Sequence, residues 1–433
     1  MRHRRTLVIL AVLGMNAAII GLALYFRQHV IPGWLKGPLI DPAAPYAPEN
    51  ATPLFAFSTC LTLDLYLLGL ALWRRYARPR WWAAWLTLAL SMGLSEGAVR
   101  AYLAVDMVTY FRPHPILHFV VRPNLEDFSN LTGGGLITTN EDGMREVTVP
   151  REPTKGEHRV LVLGDSSNFG HGVEGDEMWE AVLQDQLRER LGDENIHVLN
   201  GACPGWTTYQ AVEYMKLTGL AYHPDMVIAG FNNDPGPEYL GERRRVLPPG
   251  PVRSVNGVLF HFETYLLARE VVLSLVRRYS PDRFAGYQAR EAGVEPKYGK
   301  LSDREMEQLV PRVPMEEFLA NLTALNELGQ ERGFAFVWVN MPINRSLPDL
   351  MARYVNPEYR EAARELAEQE DFPHIDVDAA WQNKSHRELF QTGHVFHPNA
   401  QGHRLLALQV ADELLASPRL RPILTDKPVP ASP

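Results

Sequence analysis

The sequence predicts an α/β protein in which a parallel sheet is covered on both faces, preceded by a helical N-terminal region. Three observations predict it. Short aliphatic runs recur at 159–163, 196–199, 226–231, 334–340 and 375–377, with helix-period segments between them, the pattern of repeated βαβ units. The segment 177–191 places Trp179, Val182, Leu183, Leu187 and Leu191 on one helical stripe. The first run ends in Gly164-Asp165-Ser166, a glycine-flanked turn at the carboxyl end of a buried strand, where open α/β sheets keep their chemistry.

The chain has 433 residues, room for about two domains. Its formal net charge of −8 argues against a nucleic-acid surface, which needs a clustered excess of Lys and Arg. The only cysteines are Cys60 and Cys203, too few for a disulfide framework or a cysteine-based metal site.

Residues 1–112 read as a membrane region with spans at 7–26, 53–73 and, more weakly, 81–103. Arg2, Arg4 and Arg5 precede the first run, and Arg74, Arg75, Arg78 and Arg80 separate the second from the third. The positive-inside rule puts both clusters in the cytoplasm. The lipid bilayer is thus an expected partner, and everything after about residue 105 is expected on the outer side of a bacterial inner membrane, in the periplasm. Asp64 lies within the second run, and Glu96 and Arg100, four apart in the third, are expected to form a helix-packing ion pair.

Residues 113–157 are rich in Pro, Asn, Gly and Thr and read as a linker that becomes an edge segment. The domain proper runs over 158–417. Residues 241–314 interrupt its alternation with a proline-rich stretch and an amphipathic helix, an insertion expected to line a substrate cleft. The proline-rich tail at 418–433 is expected to be disordered.

Acyl transfer through a serine needs a hydroxyl, a base within reach, and donors aimed at the developing oxyanion. Ser166 supplies the first and His397, in Val395-Phe396-His397-Pro398-Asn399, the second. Two turns after strands offer donors: Gly205, with no side chain to block its N–H, and the amides of Asn232 and Asn233. A metal site at His394, His397 and His403 is not expected, because no acidic or cysteine partner accompanies them. Cys203 reads as a small apolar wall residue, and His403 as a packing or capping residue of the last helix.

Gly-Asp-Ser, a later strand–turn glycine, Asn-Asp after a strand and a final His-Pro-Asn-x-x-Gly-His occur in the order of the SGNH (GDSL-like) hydrolases, which the chain resembles over about 158–415. Thr139-Asn140-Glu141-Asp142-Gly143-Met144-Arg145 is similar to the segment preceding this domain in membrane-anchored bacterial members. The resemblance implies a flavodoxin-like three-layer domain with Ser166 as nucleophile and His397 as base and then acid. It implies an oxyanion hole from the N–H of Ser166, the N–H of Gly205 and the side chain of Asn233, which directly precedes Asp. Asp165 is implied to support the nucleophile turn, and the doubled asparagine leaves Asn232 as a second register.

The family commonly has Asp three residues before its histidine; here that position is His394. A neutral imidazole accepts a hydrogen bond but brings no negative charge. The readings are a slower Ser–His dyad, recruitment of Asp376 or Asp378, or loss of hydrolysis. The expectation is a membrane-anchored, outward-facing serine esterase or acylhydrolase with an acyl-serine intermediate, acting on acetyl esters of a cell-envelope polysaccharide and needing no cofactor. The alternatives are a polysaccharide O-acetyltransferase component served by a membrane acyl-donor partner, or a catalytically impaired binding module.

Overall fold

The computed structural model describes residues 15–19, 21, 48–76, 81–105, 110–129, 135–238, 243, 249–279 and 310–425. The chain divides into two compact units, 1–118 with 247–306, and 119–246 with 307–433. Its principal helices are α1 (Pro48–Tyr76), α2 (Trp81–Val105), the single turn α3 (Ser166–Phe169), α4 (Trp179–Leu191), α5 (Thr208–Leu217), α6 (Pro251–Leu259), α7 (Glu263–Tyr279), α8 (Met315–Arg332), α9 (Pro357–Gln369) and α10 (Ala400–Ala416). The parallel sheet holds β1 (His158–Gly164), β2 (Ile196–Asn200), β3 (Met226–Gly230), β4 (Ala335–Asn340) and β5 (His374–Asp376).

In the first unit α1 and α2 pack on each other and α7 packs on both. Among the described residues no helix is long and apolar enough to cross a membrane. The spans expected at 53–73 and 81–103 fall on α1 and α2, and the run at 7–26 lies largely outside the described residues. Polar side chains of these helices serve contacts within the unit. Ser95 Oγ donates to Ser58 O at 2.9 Å, joining α2 to α1, and Asp64 accepts two bonds from Asn16 at 2.9 and 3.0 Å. Glu96 pairs with Arg100 at 2.8 Å. It also accepts the N–H groups of Glu263 and Thr264 at 2.7 and 2.9 Å, so it caps α7, whose unpaired N–H groups favour an anion. Within the expected insertion, the described helix α7 thus packs on α1 and α2.

In the second unit the strand order is β2-β1-β3-β4-β5, all parallel. That is the flavodoxin-like winding, with its switch point at the carboxyl ends of β1 and its neighbours. Because β1 is covered on both faces it reads as a continuous apolar run, and Val160, Leu161, Val162 and Leu163 are all fully buried. One face packs on α4 and α10 through Trp179, Leu183, Leu187, Leu406, Val410 and Leu414. The other is covered by α5 and α8. Helix α4 stops at Gly192, whose φ of +66° suits glycine and whose N–H closes on Arg188 O at 2.8 Å.

The segment before β1 docks at the sheet edge, where Arg145 bridges Asn200 of β2 in antiparallel fashion. The tail expected to be disordered from 418 is ordered through 425, because Leu420 and Leu424 are buried in the core; 426–433 lie outside the described residues.

Candidate active site

The strand register aligns the site. Gly164 of β1 sits opposite Gly230 of β3, and Val162 opposite Asn200 of β2, so three loops leave the sheet side by side. The first carries Ser166. Asp165 caps α3 by accepting the Ser167 N–H at 2.9 Å and the Ser167 hydroxyl at 2.5 Å, while its other oxygen takes the Asn232 N–H at 2.8 Å. Burial pushes the Asp165 carboxyl above its ordinary range, opposed by those same bonds. With every bond turned inward, Asp165 shapes the turn. Gly164 is required there, since a Cβ would lie 2.0 Å from Asn168 Nδ2, and Asn168 ties the turn to Gly230 O at 2.6 Å.

His397 arrives from the far end of the chain. Asn399 caps α10 through the Gly402 N–H at 3.0 Å, and Asn344 holds the loop before it through Val395 O at 2.8 Å and His394 O at 2.9 Å. His397 Nε2 then lies 2.7 Å from Ser166 Oγ. On the other side of the ring, His397 Nδ1 lies 2.6 Å from His394 Nδ1. If Nε2 is to take the serine proton, Nδ1 carries the hydrogen and donates it to His394, whose own hydrogen is then on Nε2. In that arrangement His394 is a neutral acceptor beside His397.

Neither carboxylate weighed as a substitute is available. Asp378 is held by both Arg345 Nη atoms at 2.6 Å and by the Ile343 N–H at 3.0 Å, and Asp376 caps a helix through the Ala379 N–H at 2.9 Å. The surroundings keep the imidazoles neutral. Burial first, then the neighbouring His171, His394 and His403, hold His397 well below the usual histidine range. Burial also lowers His394, and His171 is lowered to about 4 by burial, His394 and Arg145.

Gly205 and Asn233 come together. Gly205 has φ +83°, a conformation that favours glycine, and a Cβ there would reach 3.2 Å from the Phe119 ring. The Asn233 side chain donates to Trp206 O, one residue on, at 3.1 Å. Asn232 turns away from that turn. Its Nδ2 approaches Ser167 Oγ at 3.4 Å and its Oδ1 accepts from Arg360 Nη2 at 2.7 Å. The two asparagines thus divide, one beside Gly205 and the other behind the nucleophile turn. Cys203 is buried and its thiol is pushed well above its ordinary range by burial. His403 is buried too, its Nδ1 accepting the Trp179 N–H at 3.2 Å.

Several residues escaped the reading of motifs. His171 lies in the glycine-flanked loop after Ser166, its ring 4.7 Å from that of His397. Arg145, fully buried, donates to the carbonyls of Phe169, Gly170, Leu136 and Val173 at 2.7–3.0 Å and pins that loop from below. Arg312 donates to Gly205 O. The only signal for Arg145 was its place in the 139–145 segment; a lone arginine and a lone histidine carry none by themselves. Among the described residues no group of three His, Cys, Asp or Glu side chains could hold a metal ion.

No family model matches the chain, and no curated protein does. Solved structures do. The lipase/acylhydrolase from Enterococcus faecalis matches at 16% identity over 59% of this chain and 95% of that one, TM-score 0.35. LAE5, an α/β hydrolase enzyme from the metagenome of Lake Arreo, matches at 15% over 61% and 99%, TM-score 0.36. A catalytic mutant of Axe2, an acetylxylan esterase from Geobacillus stearothermophilus, matches at 14% over 60% and 96%, TM-score 0.36. Likeness at this level says nothing of what this chain acts on.

Proposed function

We propose that the protein is a serine esterase or acylhydrolase of SGNH type. The observation that carries this reading is the unbroken line Ser166 Oγ, His397 Nε2, His397 Nδ1, His394 Nδ1, with gaps of 2.7 and 2.6 Å, at the switch point of the sheet. His397 takes the hydroxyl proton as Ser166 attacks the ester carbonyl, and the leaving alkoxide receives that proton as an acyl-serine forms. The N–H groups of Ser166 and Gly205 and the Asn233 amide receive the oxyanion. Water or a second hydroxyl then resolves the acyl-serine, so hydrolysis and transfer to a sugar share this chemistry. An acetyl ester on an envelope glycan is the substrate we favour.

The bilayer belongs to the same proposal. The support is that α2 buries Ser91 and Ser95 at 3% and 0% exposure while Trp85, Leu90 and Leu94 are 67%, 59% and 62% exposed, an apolar outer face suited to lipid. An extracytoplasmic position for the sheet unit rests on the arginines that precede the run at 7–26.

The test is hydrolysis of an aryl acetate by the full chain beside Ser166→Ala, together with mass-spectrometric detection of a phosphonate adduct. Loss of turnover and of the adduct in the variant is expected. Equal rates in the two proteins reject the reading.

A further inference from the structure

A cavity of about 490 Å³ opens in the second unit where β4 and β5 end, lined by the last residues of those strands, Asn340 and Asp376. Its charged lining consists of Arg345, Arg360, Arg364, Glu361, Asp376 and Asp378. It adjoins the nucleophile turn through one bond. Arg360 donates to Asn232, and the Asn232 N–H is held by Asp165, the residue before Ser166.

The chemistry of the lining selects a class of ligand. Three guanidinium groups face three carboxylates, so the formal charges cancel. They are also paired locally: Arg345 clasps Asp378 through two bonds of 2.6 Å, Arg364 meets Glu361 at 2.5 Å, and Arg360 Nη1 stands 3.5 Å from Asp378 Oδ2. An anionic ligand would meet as many carboxylates as guanidiniums, and a cation the reverse. An acyl chain would strip water from six ionised groups and return no hydrogen bonds, a costly exchange.

A neutral polyol fits. Each hydroxyl both donates and accepts, and an ion pair retains unused donors on its guanidinium and unused lone pairs on its carboxylate. Arg360, 3.5 Å from Asp378 through Nη1 and bonded to Asn232 through Nη2, adds its charge to the lining. Met351 and Val355 add an apolar patch for the C–H face of a sugar ring. A volume of this size holds about one or two such rings.

We propose that this cavity is a binding subsite for the neutral saccharide part of an acylated glycan, holding the sugar while its ester group reaches Ser166. This rests on the esterase reading for its purpose, but binding is measurable without turnover. The full chain carrying Ser166→Ala is applied to an array of neutral and uronate-bearing oligosaccharides, alone and with Arg364→Ala plus Gln382→Ala. Both of these side chains line the cavity near solvent, so folding is preserved and is checked by melting temperature. Retention of neutral oligosaccharides, weakened about tenfold or more by the pair of substitutions and equally by Met351→Trp, is the expected result. Retention of uronates alone, of no glycan, or of neutral glycans with unaltered strength in the cavity variants overturns the proposal. A chain that binds neutral glycans here yet shows no Ser166-dependent turnover leaves the subsite standing and removes the esterase.

Discussion

Replacing His394 by Asp asks how much rate the missing negative charge costs. Histidine Nδ1 and aspartate Oδ1 are each one bond beyond Cγ, so the new oxygen sits close to the atom it replaces, now 2.6 Å from His397 Nδ1. A full charge about 4 Å from the centre of the imidazolium that forms in the transition state is worth about 4 kcal/mol at an effective dielectric of about 20. Position 394 is partly open to water, and screening reduces the benefit to about 1.4–2.8 kcal/mol, a rise of about 10- to 100-fold in kcat/KM. His394→Asn keeps a neutral acceptor at the same place and stays within about threefold of the parent. His394→Ala leaves the His397 N–H without its acceptor, about 1–3 kcal/mol, and lowers the rate about 5- to 160-fold. The assay is the initial rate on an aryl acetate across pH 5–9, with each variant's melting temperature as a folding control. The aspartate also moves the acid limb of the profile upward by about 1–3 pH units, because an anion favours the protonated base. A variant series in which Ala equals His refutes a role for His394, and one in which Asp does not exceed Asn refutes charge as the limiting deficit.

In the parent protein, activity is lost as pH falls through the depressed pKa of His397, so hydrolysis persists below pH 6.5; an acid limb centred at or above that value contradicts the assigned environment. Asn233→Ala lowers kcat about 100-fold with little change in KM, whereas Asn232→Ala acts mainly on the melting temperature, and a reversed pattern exchanges their roles. Gly205→Ala costs about 1 kcal/mol for its left-handed backbone and displaces an oxyanion donor, so thermal stability and kcat fall together. Arg145→Ala removes four bonds to buried carbonyls and destabilises by about 3 kcal/mol or more, and Arg145→Lys fails to restore the melting temperature because a point charge cannot span them.

Legibility in the sequence followed the range of the interactions concerned. Strands buried on both faces must be continuously apolar, so the runs at 159–163 and 226–231 announced themselves, and each agrees with the structure to within a residue. The stripe on 177–191 was likewise local. The loops that carry Ser166, Gly205 and Asn233 could be expected because each leaves the end of a strand, and the structure brings His397 to 2.7 Å from Ser166. Hydropathy along a helix counts residues without their direction, so it does not show that Ser95 and Glu96 of α2 serve contacts within the unit.

Three things were decided only by tertiary structure, because each depends on side chains brought together from distant sequence. The partner of His397 is an imidazole nitrogen aimed by a loop that Asn344 holds, and Asp376 and Asp378 are spent on a helix cap and an arginine. The two adjacent asparagines part company because Asp165 takes the backbone of one while the side chain of the other bonds to the Gly205 turn. Helix α7 meets the N-terminal helices where Glu96 caps it, an attachment across more than a hundred and sixty residues that no local pattern records. Composition and periodicity settle which segments fold and where a reactive turn lies; which groups finally touch is set by packing, since burial leaves each polar atom few partners and the fold chooses among them.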